Sequence, residues 1–304
     1  MYRLYFFLFF ISNAFIALGQ QDFQATQFIY DKLNVNPAFA GANFTSTISL
    51  FNNSILGNGT ALASAQIARA TTKLLDKNVG LALNLESYTI GSFKSSEISA
   101  VYAYHIRLGD ERYVSFGLEG TFRTTRMRIF QDPFQPPINF NQVEAQFGGL
   151  YYDQSTYIGF AAQNLFGSQL KDPFGGRIPV TSGNRLFRSM FGATFPISEA
   201  SEIQPNVQLA YAQGSPLGYD MNVMYVWNRI FSVGLSYRYA DFRESIVRNN
   251  LDFIVQLQVS KRLLIGSGLS FPQSSTSVQT GGAEFSAIWV WSAQERPHRE
   301  MPFF

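Results

Sequence analysis

Two histidines, His105 and His298, are the only imidazoles in the chain, and it has no cysteine. Neither a thiolate centre nor a His-rich metal cluster is therefore expected. A Ser-His-Asp relay would have to use His105, yet no G-x-S-x-G nucleophile motif accompanies it. P-loop and GxGxxG phosphate cradles are absent as well, and Gly266-Ser267-Gly268 sits mid-segment, where glycine eases curvature. No catalytic residue, metal ligand or cofactor is assigned, and the chain is not expected to be an enzyme.

The elements that carry these residues are written in the composition. Of 304 residues, 46% are hydrophobic, 16% aromatic and 14% charged, against roughly 25% charged in an ordinary soluble domain. Disorder and a disulfide scaffold are excluded by that balance. A net charge of +2 gives no field for nucleic acid. Mean hydropathy nevertheless sits near zero, so apolar bulk must be diluted by uncharged polar residues.

Arg3 precedes an apolar stretch from Leu4 to Leu18, with Ala17 and Gly19 at the spacing of a cleavage site. Residues 1–19 read as a secretory signal peptide, too short to serve as a membrane anchor. No later run approaches the ~18 apolar residues of a spanning helix.

From Asn43 onward the pattern has period two. Val233, Leu235, Tyr237 and Tyr239 alternate with Ser232, Gly234, Ser236 and Arg238; Met221, Val223, Tyr225 and Trp227 alternate with Asp220, Asn222 and their neighbours. About fourteen such segments fill residues 43–291, most of them long enough to cross a bilayer when tilted. Connections alternate too: Asn228-Arg229, Gln154-Ser155, Leu108 to Arg112, Ile197 to Ala200 and Ser260 to Arg262 are tight. Arg126 to Gln142, Asn164 to Leu186, Ala240 to Arg248 and Pro272 to Thr280 are long, and Ala70 to Lys77 breaks the rhythm. Short periplasmic turns, longer outer loops and an even count predict an all-β, transmembrane antiparallel barrel of about 14 strands in the outer membrane. A large soluble sandwich would alternate similarly, with shorter strands. Barrel phospholipases place a Ser and a His at a barrel edge, which makes His105 worth locating; a polar lumen position is the simpler expectation. Tyr225, Trp227, Trp289 and Trp291, near segment ends, suit aromatic girdles.

Ahead of the first strand, Phe23, Gln27, Tyr30 and Asn34 have near-helical spacing, Asn36-Pro37 ends any helix and Gly41 turns the chain. This stretch, with Gln21, Asp22, Gln24, Gln27, Tyr30 and then Asn36, Pro37, Ala38, Phe39, Ala40 and Gly41, resembles the N-terminal signature of the PorP/SprF family of Bacteroidota. Ser99 to Tyr104, Ser115 to Leu118, Tyr157 to Phe160, Gln163 to Phe166 and Val233 to Arg238 extend the resemblance along the mature chain. Asn52-Asn53-Ser54 stands where the family commonly has basic and tryptophan residues, and residues 292–304 run past the usual end. The resemblance implies an outer-membrane component of type IX secretion that binds or anchors a secreted client carrying a C-terminal targeting domain, couples to periplasmic secretion partners and serves gliding motility in some members.

Segment 20–42 is expected to plug the barrel or lie in the periplasm, 43–291 to form the wall and 292–304 a periplasmic tail. Glu86, Glu119, Arg123, Asp220, Arg238 and Asp252, opposite the lipid-facing rows, are expected to form a polar network in the lumen. They either knit with the N-terminal segment into a plugged interior, the favoured reading, or line a water-filled pore, which would make the chain a passive or hydrophobic-solute channel. Arg126, Arg128, Arg185, Arg188, Arg243 and Arg248 gather near the long loops and are expected to face outward, toward lipopolysaccharide phosphates or a client.

Overall fold

The computed structural model describes residues 31–43, 45–57, 60–74, 78–128, 137–167, 185–212, 216–239, 249–273 and 281–293. One antiparallel sheet contains β1 (Thr45–Gly57), β2 (Thr60–Leu74), β3 (Val79–Ile90), β4 (Phe93–Gly109), β5 (Arg112–Met127), β6 (Ile138–Tyr152), β7 (Thr156–Gln163) and β8 (Leu186–Ala193). It continues through β9 (Phe195–Pro196), β10 (Ser201–Ala212), β11 (Gly218–Trp227), β12 (Phe231–Tyr239), β13 (Asn249–Ser260), β14 (Leu263–Pro272) and β15 (Gly281–Ala293). The two-residue β9 prolongs β8, so fourteen staves make the wall. The sheet closes where β1 meets β15, with Thr45 opposite Ala293. Closure is what hydrocarbon requires, because an open edge there would leave backbone donors and acceptors without partners at several kcal/mol each.

Alternation sorts the side chains as the period demands. Met221, Val223, Tyr225 and Trp227 of β11 and Leu235 and Tyr237 of β12 are exposed, whereas Asp220, Asn222, Met224, Ser236 and Arg238 are buried inside. Trp289 and Trp291 stand outward near the end of β15, level with the tight-turn rim. Asn228 and Arg229 both take positive φ, 51° and 56°, the conformation of a two-residue hairpin turn matched to strand twist. At the β6–β7 turn, Asp153 Oδ1 accepts from the Ser155 and Thr156 backbone N–H groups, each at 2.8 Å. The link expected to be too long at Ala70 to Lys77 is shorter than the sequence suggests, because β2 runs on to Leu74.

The wall is uneven at its other rim. β4 and β5 have 17 and 16 residues, while β7 and β8 have 8 each. On the outer surface of β1–β6 one registered row, Leu50, Ala68, Leu85, Ile98, Phe122 and Val143, is apolar. The next row toward the outer rim, Asn52, Gln66, Ser87, Ser96, Thr124 and Asn141, is wholly polar. That switch marks where these strands leave the hydrocarbon; a tilted strand needs only about 9–11 residues to cross.

Candidate functional site

The N-terminal motif lies inside the barrel near the tight-turn rim. Helix α1 (Lys32–Val35) stops at Asn36, and a 3-10 turn (Pro37–Phe39) follows, with proline at a position that needs no N–H. Asn36 acts twice. Its Oδ1 accepts from the Ala38 N–H at 2.9 Å, and its Nδ2 donates to the carbonyls of Gly149 and Phe160 at 3.0 and 3.2 Å. One side chain thus caps the turn and joins it to β6 and β7. Gly41, with φ of 72°, redirects the chain toward β1.

The wall supplies a fitted socket. A Cβ on Gly80 would fall 1.8 Å from the Ala40 carbonyl oxygen, one on Gly117 2.3 Å from the Ala38 nitrogen, and one on Gly148 1.9 Å from Asn36 Oδ1. Glycine is required at all three because the plug lies directly against the sheet, with its backbone over Gly80 and Gly117 and the Asn36 side chain over Gly148. Ser115 Oγ donates to Ala38 O at 2.8 Å, Gln146 Nε2 to Val35 O at 3.0 Å, and Gln163 Nε2 to Asn34 O at 3.2 Å. Phe39 packs edge-on against Tyr157, within an apolar cluster that includes Val35, Ala38, Leu150, Tyr152 and Met190. Lys32 Nζ lies 4.7 Å from the Tyr157 ring centroid. Burial holds its ammonium well below the ordinary lysine value.

His105 is a lumen residue, fully buried, with both ring nitrogens engaged. Nε2 lies 2.8 Å from Ala40 O, and Nδ1 lies 2.9 Å from the Tyr152 hydroxyl. A carbonyl only accepts, so Nε2 carries the proton and Nδ1 accepts from Tyr152. His298 lies outside the described residues.

The six carboxylates and arginines expected to share one network divide into two. On β2–β5, Arg69 bridges Asp31 of the plug and Glu86, and Arg123 donates to both oxygens of Glu97 at 2.6 and 3.1 Å. Glu119 accepts from Asn84 Nδ2 and Thr121 Oγ1 at 3.4 Å each. Across the barrel, Arg238 donates to Asp220 Oδ2 through Nε and Nη2 at 3.0 and 2.8 Å, and Ser236 donates to Asp220 Oδ1 at 2.7 Å. Asp252 is buried opposite Ser236 in the register. Asp31, Arg69 and Glu97 escaped the sequence reading. β2 carries alanine on both faces, which blurs the alternation that would have turned Arg69 inward.

Below the second group, Phe51, Ile67, Met224, Ile254 and Ile288 form a buried apolar band on the lumen side. Met224 and Ile254 are 0% exposed. A polar cavity of about 60 Å³ beside the plug touches Asn34, Glu97, Glu144 and Gln163. Of the arginines expected outside, Arg126, Arg128 and Arg185 are exposed near the outer rim. Arg188 is a correction: it points into the lumen at 4% exposure, because in β8 it shares parity with Met190 and not with the outward Phe187 and Phe191. Arg243 and Arg248 lie outside the described residues, as do residues 21–30 of the N-terminal signature and 294–304 of the tail.

Among solved structures the barrel is similar to the CymD monoaromatic hydrocarbon channel, with a TM-score of 0.56 at 8% identity, covering 91% of this chain and 96% of that one. It is equally similar to the toluene transporter TodX of Pseudomonas putida, with a TM-score of 0.56 at 9% identity, covering 90% and 98%. At such identities the likeness establishes the fold. No curated protein matches the chain. The family described as type IX secretion system membrane protein PorP/SprF matches residues 17–287. With its barrel closed and its N-terminal motif seated in the lumen, the chain belongs to the PorP/SprF family and is an outer-membrane component of type IX secretion.

Proposed function

We propose that the barrel binds and anchors a secreted surface protein carrying a C-terminal targeting domain, couples through its tight-turn rim to periplasmic secretion partners, and acts without catalysis. One observation carries this reading: the plug packs against the inner wall near the tight-turn rim, and across the barrel the inward-facing Asp220, Asn222, Met224, Ser236, Arg238, Asp252 and Ile254 are buried. A conducting pore would keep them wet. His105 supports the non-catalytic part, since Nε2 is held by Ala40 of the plug, Nδ1 by Tyr152 of β6, and the neighbouring Ser115 Oγ donates to Ala38 O. Exposed Arg126 and Arg128 suit lipopolysaccharide phosphates at the outer leaflet. Any role in gliding follows from the client rather than from the barrel.

The second reading, a channel for hydrophobic solutes, draws on the fold shared with CymD and TodX. The experiment is purification from native outer membranes together with planar-bilayer recording. Recovery of an exported surface protein with a silent bilayer is the expected result. Large steady openings with no co-purifying exported protein would replace the anchor with a channel.

A further inference from the structure

A groove of about 540 Å³ crosses the outer surface of the wall on the side of the outer rim. Its floor is Ala68 of β2, registered between Leu50 of β1 and Leu85 of β3, both exposed. A methyl between two longer apolar side chains leaves a trough. One row nearer the outer rim, Gln66 lies opposite both Asn52 and Ser87, and Ser87 lies opposite Ser96 of β4; all four border the groove. The trough is thus apolar toward the hydrocarbon and lined by amides and hydroxyls toward the outside.

Two residues beyond Ser96, roughly 7 Å along the strand, Lys94 is registered directly opposite Arg126 of β5, and both are exposed. Like charges facing each other across a ladder destabilise it, and an anion seated between them reverses the sign. The outward face does not supply one. Among the described residues neither cation has a carboxylate partner, and the outward positions of β3–β6 beyond the apolar row carry no Asp or Glu. Glu86 and Glu97, the nearest acids along these strands, have the opposite parity and pair with Arg69 and Arg123. Arg126 Nε donates to Asn139 Oδ1 at 3.2 Å, which holds the guanidinium against the outer face.

We infer that the groove and the Lys94–Arg126 pair form one lipid site, which seats an acyl chain over Ala68 and a phosphate between the two cations of a phosphorylated, acylated glycolipid of the outer leaflet. The inference rests on the outer-leaflet reading of Arg126 above and deepens it from a surface charge to a built site. The order of chemistry along the strands selects the ligand. Apolar contact comes first, then amides and hydroxyls that both donate and accept, then two positive charges. A lipopolysaccharide presents acyl chains, amide links and sugar hydroxyls, and phosphates in that same order. A glycerophospholipid offers the middle row only acceptor esters, and the two cations a single phosphodiester.

The test is native mass spectrometry of the full-length barrel extracted from its own outer membrane in mild detergent, counting the lipopolysaccharide kept per chain. Wild type is expected to keep one copy. Lys94→Glu with Arg126→Glu reverses the charges, and Ala68→Trp fills the groove but leaves the charges in place. Each is expected to cut retention at least about tenfold, while Val223→Trp, an outward change across the barrel, stays within about twofold of wild type. A photo-crosslinker at Ser87 of an otherwise wild-type chain should capture the same glycolipid, which covers the case that Ala68→Trp fails to assemble. Retention unchanged by Ala68→Trp overturns the site, even if charge reversal releases the glycolipid, and leaves Arg126 as a loose phosphate contact. A glycerophospholipid kept in its place overturns the ligand. If the wild type keeps neither, the outer-leaflet reading of Arg126 falls and the site with it, and anchoring of a secreted protein is untouched.

Discussion

His105 and Ala40 are joined by a 2.8 Å hydrogen bond from the ring Nε2 to the carbonyl oxygen, which ties β4 to the plug inside the barrel. The tie is oriented from behind by Tyr152, whose hydroxyl donates to Nδ1. His105→Ala leaves the Ala40 carbonyl without this donor, at about 1–3 kcal/mol, while Tyr152→Phe, which only frees the tautomer, costs about 1 kcal/mol. The measurement is urea unfolding followed by heat-modifiable migration, with protease access to residues 31–43 as the local readout. Equal effects of the two variants would show that Tyr152 does more than orient the ring.

The socket glycines make a steric prediction with a built-in control. Gly117→Ala and Gly148→Ala place a methyl on the plug backbone or on Asn36, whereas nothing lies within 4 Å of a Cβ on Gly120. The first two are expected to cost about 1–3 kcal/mol and to raise bilayer conductance by lifting the plug; Gly120→Ala leaves both unchanged.

Arg238 and Asp220 form the buried ion pair of the second lumen group. Arg238→Met strands a buried carboxylate and should lower stability by about 3–5 kcal/mol, whereas the double change with Asp220→Leu recovers most of the loss. A double-mutant cycle in urea reads the coupling.

Acid should loosen the β6–β7 turn before the wall. Partial burial pushes the Asp153 carboxyl up, but the Ser155 and Thr156 backbone N–H groups and the hydroxyls of both residues outweigh it and hold the group below the ordinary carboxylate value. A depressed pKa contributes stability above the unfolded value and loses it as pH falls through the folded one. Protection of the Ser155 and Thr156 amides, relative to their intrinsic exchange rates, is therefore expected to fall below about pH 4, and Asp153→Asn to remove that dependence.

Closed barrel, strand faces and tight turns were legible because hydrocarbon imposes a strict period on each strand. Tyr219 to Trp227 show it without interruption. The outer end of β6 was not legible, because beyond the bilayer its outward face turns polar and only Ile138 and Phe140 mark the inner one; Asn139, Asn141 and Gln142 look like loop. Arg188 was misplaced by its neighbourhood in sequence, which only parity within β8 could correct. The plug motif announced itself through Asn36-Pro37 and Gly41, but its socket did not. Gly80, Gly117 and Gly148 lie on three different strands, and only the register brings them under one turn.

The meeting of β1 and β15 puts the seam of the wall beside the plug. Thr45 and Ala293 bring together the first and last staves, so the wall is closed by the two strands furthest apart in sequence. The plug ends at Gly41, a few residues before β1 begins, and is thus tethered to the seam itself. The stopper and the seam therefore hang on one short stretch of chain, and neither can be displaced without pulling on the other.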